Sequence, residues 1–301
     1  MIVKKPQRRG TFLTVYMHTA HLNTMKRGAK QLTRRKNKII AFCRLIWYDI
    51  NGDFMFNFFV DIDSKQGNAF LIGGKDFNHI KNVLRLTFGE NFLVSCENKS
   101  HLCRLVGFEG ECAVAEILQE DYQSTELPVN IHLFQGLPKS DKLELIIQKC
   151  VELGVSSITP TEMARCVVKL EQKKKDSKAA RWQSIAEAAA KQSKRNRIPQ
   201  IENVSSFKQM LEKAKDLDLL IVPYENKEGM KTTAQTLCKI KSGMNIGILI
   251  GPEGGFEESE IAAVIETGGI PVSLGSRILR TETAAVTAVA MCMLYIEMNV
   301  G

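Results

Sequence analysis

The sequence predicts an α/β protein, with a mostly parallel sheet flanked by helices and a small β-barrel in front of it. Three observations carry this reading. Short strand-like runs separated by turn residues fill residues 55 to about 119. From Val129 onward, apolar strand-like runs alternate with helical segments, the pattern of a parallel sheet buried on both faces. The chain has 301 residues, 44% apolar and 25% charged, which favours two globular domains over one.

Residues 1–54 stand apart. They hold 12 Lys/Arg and two acids, against 29 basic and 31 acidic residues in the remainder, so all of the net charge of +8 originates here. The segment has no serine and no sustained period of 2 or 3.6. Three readings stay open. It is a disordered basic arm that touches nucleic acid, an organelle-targeting segment, or sequence upstream of the true start. The last is favoured because Met55 opens the first patterned segment. The amino-terminal residues lack a clear apolar signal core and cleavage site, so secretion is not expected. No apolar run approaches the roughly 20 residues of a membrane span. None of the eight cysteines forms a C-x-x-C pair. Reduced, partly buried thiols in a cytoplasmic protein are therefore expected, without a metal site.

The barrel runs are "MFNFFV", "NAFLIG", "NFLVSCEN", "HLCRLVGF" and "ECAVAEIL". One helical interruption, "DFNHIKNVLRL", places Ile80, Val83, Leu84 and Leu86 near one face. The polar stretch "QEDYQSTELP" follows. The expected boundaries are a basic extension over 1–54, a barrel over 55–122, a linker over 123–128 and an α/β domain over 129–301.

In the α/β region the strand-like runs are "VNIHLFQ", "VSSITP", "DLLIVP", "NIGILI" and "IPVSL". The clearest helix is "SDKLELIIQKCVELG". Leu143, Ile146, Ile147, Cys150 and Val151 make its apolar stripe, Ser140 or Asp141 can cap it, and Gly154 ends it. Ligands of such sheets bind beyond the carboxyl ends of the strands. Pro223–Tyr224–Glu225, Gly251–Gly255 and Gly275–Arg280 all fall there.

The loop in "LIGPEGGFEESEI" invites a phosphate reading, which its residues oppose. The chain has neither G-x-x-x-x-G-K-[ST] nor G-x-G-x-x-G. Glu257, Glu258 and Glu260 sit in the first turn of the following helix and would repel an anion there. Pro252 lacks the N–H a phosphate would use. The loop suits a neutral or positive ligand that approaches the backbone closely. A second loop, "VSLGSRILRTETAAVTAVAMCMLYIEM", breaks at Gly275 and crowds Arg277, Arg280, Thr281, Glu282 and Thr283 into the next turn. Thr281 or Thr283 is able to cap the helix. Simple capping with a surface ion pair is one reading of this cluster; a ligand site is the other, favoured by its place beside a glycine turn. The helix, from about Glu282 to Met298, is apolar almost all round, which suggests burial against another subunit.

Together "IGPEGGF", "LGSRILRTETAAV", "LPKSDKLELIIQKCVELGV", "RCVVKL" and "RWQSIAEAAAKQSKRNRIPQI" resemble the bacterial family that methylates N3 of a uridine in small-subunit (16S) ribosomal RNA, the RsmE type. "HIKNVLRLTFGE" looks like that family's barrel. The resemblance runs from Met55 to about Asn299. It implies a PUA-like β-barrel followed by a SPOUT-class α/β domain with a C-terminal trefoil knot, a homodimer, S-adenosyl-L-methionine as methyl donor and 16S rRNA in the small ribosomal subunit as partner. The loops implied to hold the cofactor comprise Val222, Pro223 and Tyr224; Gly251, Pro252, Glu253, Gly254 and Gly255; and Leu274, Gly275, Arg277, Ile278, Leu279, Thr281 and Thr283. A sulfonium cofactor without phosphate agrees with the objections to an anion.

Methyl transfer to a ring nitrogen demands alignment, loss of a proton and stabilisation of charge on the uracil oxygens. Arg280 is the candidate to orient the uracil, and Glu282 or Glu225 to assist proton removal; a simple Glu282–arginine pair is the alternative. RNA contacts are expected from Arg165, Lys169, Arg181, Lys191, Arg195 and Arg197 in the α/β domain and from Lys75, Lys81 and Arg85 in the barrel. The dense "KQSKRNR" cluster is the first choice for phosphates. Lys194 stands where the family often has a small residue. The target uridine is expected to leave its stack. The competing class is a non-catalytic RNA-binding or ribosome-assembly protein on the same scaffold.

Overall fold

The computed structural model describes residues 55–168, 170–224 and 229–300, with backbone alone for 172–174. The three readings of residues 1–54, and the roles expected of Lys169 and Glu225, lie outside the described residues.

The first sheet has six strands: β1 (Asn57–Phe59), β2 (Lys65–Gln66), β3 (Ala69–Ile72), β4 (Asn91–Cys96), β5 (Lys99–Glu109) and β6 (Cys112–Gln119), in the order β1-β4-β5-β6-β3-β2. β1 runs parallel to β4; the other ladders are antiparallel. Alternation drives the strands to one core: Phe70, Ile72, Phe92, Val94, Cys103, Leu105, Ala113 and Ala115 are all buried in it. The register of β5 on β6 shifts twice, between Leu102 and Cys103 and between Leu105 and Gly107.

Between β3 and β4 the expected helix forms, but in two parts. A short α1 (Gly74–Asn78) continues as a π-helical turn over His79–Leu84. Ile80 and Leu86 are buried as expected, whereas Val83 is 63% exposed. The wider π turn rotates Val83 off the face that a 3.6-residue period assigns to it.

The second sheet is parallel throughout: β7 (Asn130–Gly136), β8 (Ser157–Glu162), β9 (Gln200–Ile201), β10 (Ser205–Ser206), β11 (Leu219–Pro223), β12 (Asn245–Ile250) and β13 (Ile270–Val272). Its main path is β10-β8-β7-β12-β11-β13, with β9 on β8. The two-residue strands β9 and β10 carry no apolar run that sequence could flag.

Five helices connect these strands, α2 (Lys142–Glu152), α3 (Gln172–Gln192), α4 (Phe207–Ala214), α5 (Met230–Leu237) and α6 (Glu258–Glu266), and α7 (Thr281–Asn299) follows the last strand. The apolar stripe predicted for α2 is the buried one, and it packs against both α3 and α7. Asp141 is its N-cap without a side-chain cap bond, and Gly154 follows it at φ +96°. α7 begins one residue earlier than expected. Neither threonine caps it: Arg280 is the N-cap and Thr281 lies inside the first turn. Ala285, Ala288, Val289, Cys292 and Ile296 bury one face of α7, while Leu294 and Met298 on the remainder are exposed. By length and composition alone α7 reaches the measure of a membrane span, but a third of that window is buried inside the protein.

The two sheets are joined by residues expected to grip RNA. After α3 the chain turns through Lys194, whose φ is +57°. The Arg195 N–H donates to Ala190 O and the Lys194 N–H to Lys191 O, so the helix ends in a left-handed C-terminal cap. A small residue at this position is explained by that conformation. The turn then meets the first sheet, where Asn57 Nδ2 donates to Arg195 O at 2.8 Å.

Candidate active site

Four neighbouring parallel strands, β7, β12, β11 and β13, end at one edge, at Gly136, Ile250, Pro223 and Val272. The loops after β12 and β13 meet there, and the Tyr224 N–H donates to Val272 O at 2.9 Å. Two adjoining cavities open between them, of about 670 and 530 Å³. They share Pro223, Tyr224, Ile278, Leu279 and Ala284 as walls. Leu274, Gly275 and Arg277 line the larger. Gly251, Pro252, Glu253, Gly255, Arg280, Thr281 and Lys142 line the smaller. The structure thus brings together the loops that the sequence singled out. Val222 and Thr283 line neither cavity, and Val222 is buried in the core. Gly254 also stands outside the cavity walls and packs on Arg165 instead.

The loops are sewn to each other and to β7. The buried Thr281 hydroxyl donates to Gly251 O at 2.7 Å and accepts from Gln135 Nε2 at 3.0 Å. Below them, a Cβ on Gly136 would stand 2.6 Å from Pro252 N, so only glycine lets β7 pass under the loop. Gly255 (φ +70°) makes the turn into α6. That helix starts at Glu258, later than expected, and one of its carboxylates faces inward. Glu260 is buried and accepts from the N–H groups of Glu257 and Ala164. Two exposed glutamates still stand at this end, which remains unsuited to an anion.

Lys142 is the charged site residue that the sequence reading missed, although it lies within the stretch "LPKSDKLELII". Its Nζ lies 3.0 Å from Glu253 Oε1 and 3.2 Å from Glu282 Oε2. The Glu253 contact is an aligned hydrogen bond; the Glu282 contact is an ion pair by distance, and Oε2 is left without an aligned donor. The carboxylates of Glu253 and then Glu282 raise the Lys142 ammonium above its ordinary value. Burial raises the Glu253 carboxyl, but backbone N–H groups, that of Lys139 among them, and the Lys142 ammonium hold it below the usual carboxylate range. Glu282 therefore pairs with a lysine from α2, not with an arginine as the alternative reading had it.

The residues expected to touch RNA divide into two groups. Arg195 is 2% exposed, and its guanidinium is consumed by Glu126 and by the carbonyls of Val151 and Val155. It cannot reach a phosphate, which corrects the expectation for this residue. Arg197 is half-buried on Glu126, Asn130 and Ser156. Lys191 is tied to Asp76 and Glu187. The "KQSKRNR" cluster is thus the joint between the two sheets, held by a glutamate some 70 residues upstream. Arg165 is exposed, with Nη1 donating to Gly254 O at 3.2 Å. Arg181 is exposed and paired with Glu144. Lys75, Lys81 and Arg85 are exposed on the first sheet's side.

A parallel α/β sheet whose two carboxyl-edge loops form a glycine-lined double cavity, without a phosphate cradle, defines a class, and the comparisons agree with it. The family model described as an RNA methyltransferase domain matches residues 125–293. The ribosomal RNA small subunit methyltransferase E of Bacillus subtilis is 35% identical over 262 residues, 82% of this chain and 99% of its own. That of Mesomycoplasma hyopneumoniae is 35% identical, covering 79% of this chain and 99% of its own. The chain belongs to the ribosomal RNA small subunit methyltransferase E family. Among solved structures, that enzyme from Neisseria gonorrhoeae bound to S-adenosylmethionine superposes with TM-score 0.66 at 32% identity, over 80% of this chain and 97% of the other. A methyltransferase from Legionella pneumophila in complex with the same cofactor gives TM-score 0.68 at 29% identity over the same shares.

Proposed function

We propose that this chain transfers a methyl group from S-adenosyl-L-methionine to N3 of a specific uridine in 16S ribosomal RNA. The observation that carries the reading is the double cavity at the carboxyl edge of β11, β12 and β13, built by a member of this family from loops that disfavour phosphate. Its walls fit the cofactor. Pro223, Leu274, Ile278, Leu279 and Ala284 offer apolar surface to an adenosine. Pro252 withholds an N–H, and a neutral or cationic ligand meets no penalty from the glutamates. When bound, the cofactor supplies an electrophilic methyl on a sulfonium.

The chain's residues do the rest. Arg280, at the N-cap of α7 and in the wall of the smaller cavity, orients the uracil and offsets charge on its oxygens. Glu282, two residues further in, accepts the N3 proton, and Lys142 holds that carboxylate in place. Glu225 is a second candidate acceptor. The uridine leaves its stack to reach the site, and Arg165, Lys169 and Arg181 with Lys75, Lys81 and Arg85 hold the surrounding RNA. Arg280→Ala and Glu282→Ala are expected to lower methyl transfer about 100-fold with cofactor affinity retained. Near-normal turnover would remove these roles. A thermal midpoint that rises with S-adenosyl-L-methionine separates the enzyme from a non-catalytic assembly protein.

The finer architecture belongs to the same proposal. Residues 55–122 form a PUA-like RNA-binding barrel, which the two register shifts of β5 support by curling the sheet. Residues 123–128 link it to a SPOUT domain over 129–301, whose last segment threads a trefoil knot. The bond from Thr281 to Gly251 O supports the threading. The protein acts as a cytoplasmic homodimer, with the apolar outer face of α7 and the 99% exposed Ile278 covered by a second copy. A solution mass of one 33.7 kDa chain would contradict the dimer.

A further inference from the structure

The exposed end of the first sheet carries an aromatic surface that the reaction chemistry does not use. Phe88 is 64% exposed. Its ring centroid lies 5.4 Å from that of Phe108, which lies 5.8 Å from that of Phe77. Lys81 Nζ sits over both of the latter rings, 5.1 Å from Phe77 and 5.3 Å from Phe108. The surface is held rigidly. The Gly89 N–H donates to Leu105 O, the Leu105 N–H donates to Glu90 O, and the Leu86 N–H donates to Ile80 O, closing the π turn. Its cations lie on the 75–85 side, while Glu90 and Glu109 stand beside Phe88 and Phe108 in sequence. Lys75, Lys81 and Arg85 are exposed and, among the described residues, pair with no carboxylate. The acid in the same segment, Asp76, is neutralised by Lys191.

An exposed aromatic beside unpaired cations fits a ligand with both π faces and negative charge. A hydrophobic core has no use for the cations, and a duplex hides its bases. We propose that Phe88, backed by Phe108 and Phe77, stacks an unpaired base of the RNA substrate while Lys81, Lys75 and Arg85 follow its backbone. This contact is separate from the methylated uridine, and it makes single-stranded RNA next to the target part of what the protein recognises. The inference rests on the rRNA methylation reading for the identity of the substrate, but the binding it describes is measurable without turnover.

The test uses the full chain with Phe88→Ala, Phe88→Trp and Lys81→Ala. The probe is an unstructured oligouridylate of about ten nucleotides, compared with a blunt RNA duplex. Phe88→Ala is expected to weaken oligouridylate binding about tenfold and to leave duplex binding and S-adenosyl-L-methionine affinity unchanged. Phe88→Trp restores the affinity, and its added indole fluorescence is quenched by the oligonucleotide. Lys81→Ala lowers the salt dependence of binding, which Phe88→Ala leaves intact. On 16S rRNA, the Phe88→Ala defect appears in KM and not in kcat. Unchanged oligouridylate affinity in Phe88→Ala, an equal loss on the duplex, or an unquenched Phe88→Trp would each overturn the stacking. A wild-type protein that binds the oligouridylate through Phe88 yet methylates no rRNA would sink the methylation reading alone.

Discussion

At the scale of single residues, the cavity at the carboxyl edge depends on a few buried polar contacts between segments far apart in sequence. Thr281 joins β7, the loop after β12 and the start of α7 through one hydroxyl. Thr281→Val keeps the shape and leaves Gly251 O and Gln135 Nε2 without that partner, at a cost of about 1–3 kcal/mol. The expected result is a roughly tenfold or greater loss of S-adenosyl-L-methionine affinity by calorimetry, with the fold retained. Unchanged affinity would mean that the loops hold their positions without this bond. Here the sequence was informative about place and misleading about role. "RTET" marked the turn, but capping chemistry pointed Thr281 at its own helix, and a partner 30 residues away took it. The importance of Lys142 was hidden for the same reason, since its two carboxylates lie 111 and 140 positions further along.

At the scale of elements, the end of α3 shows what a local charge pattern conceals. Three cations in "KRNR" read as a phosphate grip because the Glu126 carboxylate that neutralises two of them is remote in sequence. Burial raises the Glu126 carboxyl, but hydrogen bonds and charge from Arg195, then the charge of Arg197 and the Asn196 N–H, hold it below the usual carboxylate range. A carboxyl depressed in the folded state contributes its full stability above the ordinary value of about 4.3, and loses it as pH falls through the lowered folded value. Glu126→Gln should therefore cost about 3 kcal/mol at neutral pH by leaving a buried guanidinium uncompensated, and the gap to wild type should narrow under acid. Denaturant unfolding at a series of pH values reads both; a gap independent of pH would contradict the assignment. At the same helix end, Lys194→Gly should stabilise the protein by about 1 kcal/mol, because a side chain there pays for a left-handed backbone. An equal or lower unfolding midpoint would argue against strain at this turn. Strands and helices with a clean period, such as β7 and α2, were legible from sequence. The π turn was not, because no periodicity rule anticipates the rotation that exposes Val83.

At the scale of the whole molecule, the order of the parallel strands explains why two separate glycine loops form one site. β11 lies between β12 and β13, so the loops leaving its neighbours converge over Pro223 and Tyr224. Sequence alone placed both loops at strand ends and could argue against phosphate; their meeting is a property of the sheet order. The six-stranded sheet is fixed to this domain by the Arg195 turn and by the pair of Lys191 with Asp76. Under the proposed function, RNA held on one would thereby be presented to the other at a set distance. The central claim is that this assembly methylates N3 of one uridine in 16S rRNA. The most direct measurement incubates the purified protein with small ribosomal subunits lacking the modification and with S-adenosyl-L-methionine carrying a labelled methyl group, then maps the labelled nucleoside by mass spectrometry. The account predicts a single 3-methyluridine in 16S rRNA, reduced about 100-fold in rate by Arg280→Ala. No transfer, or label on another base atom, would contradict it.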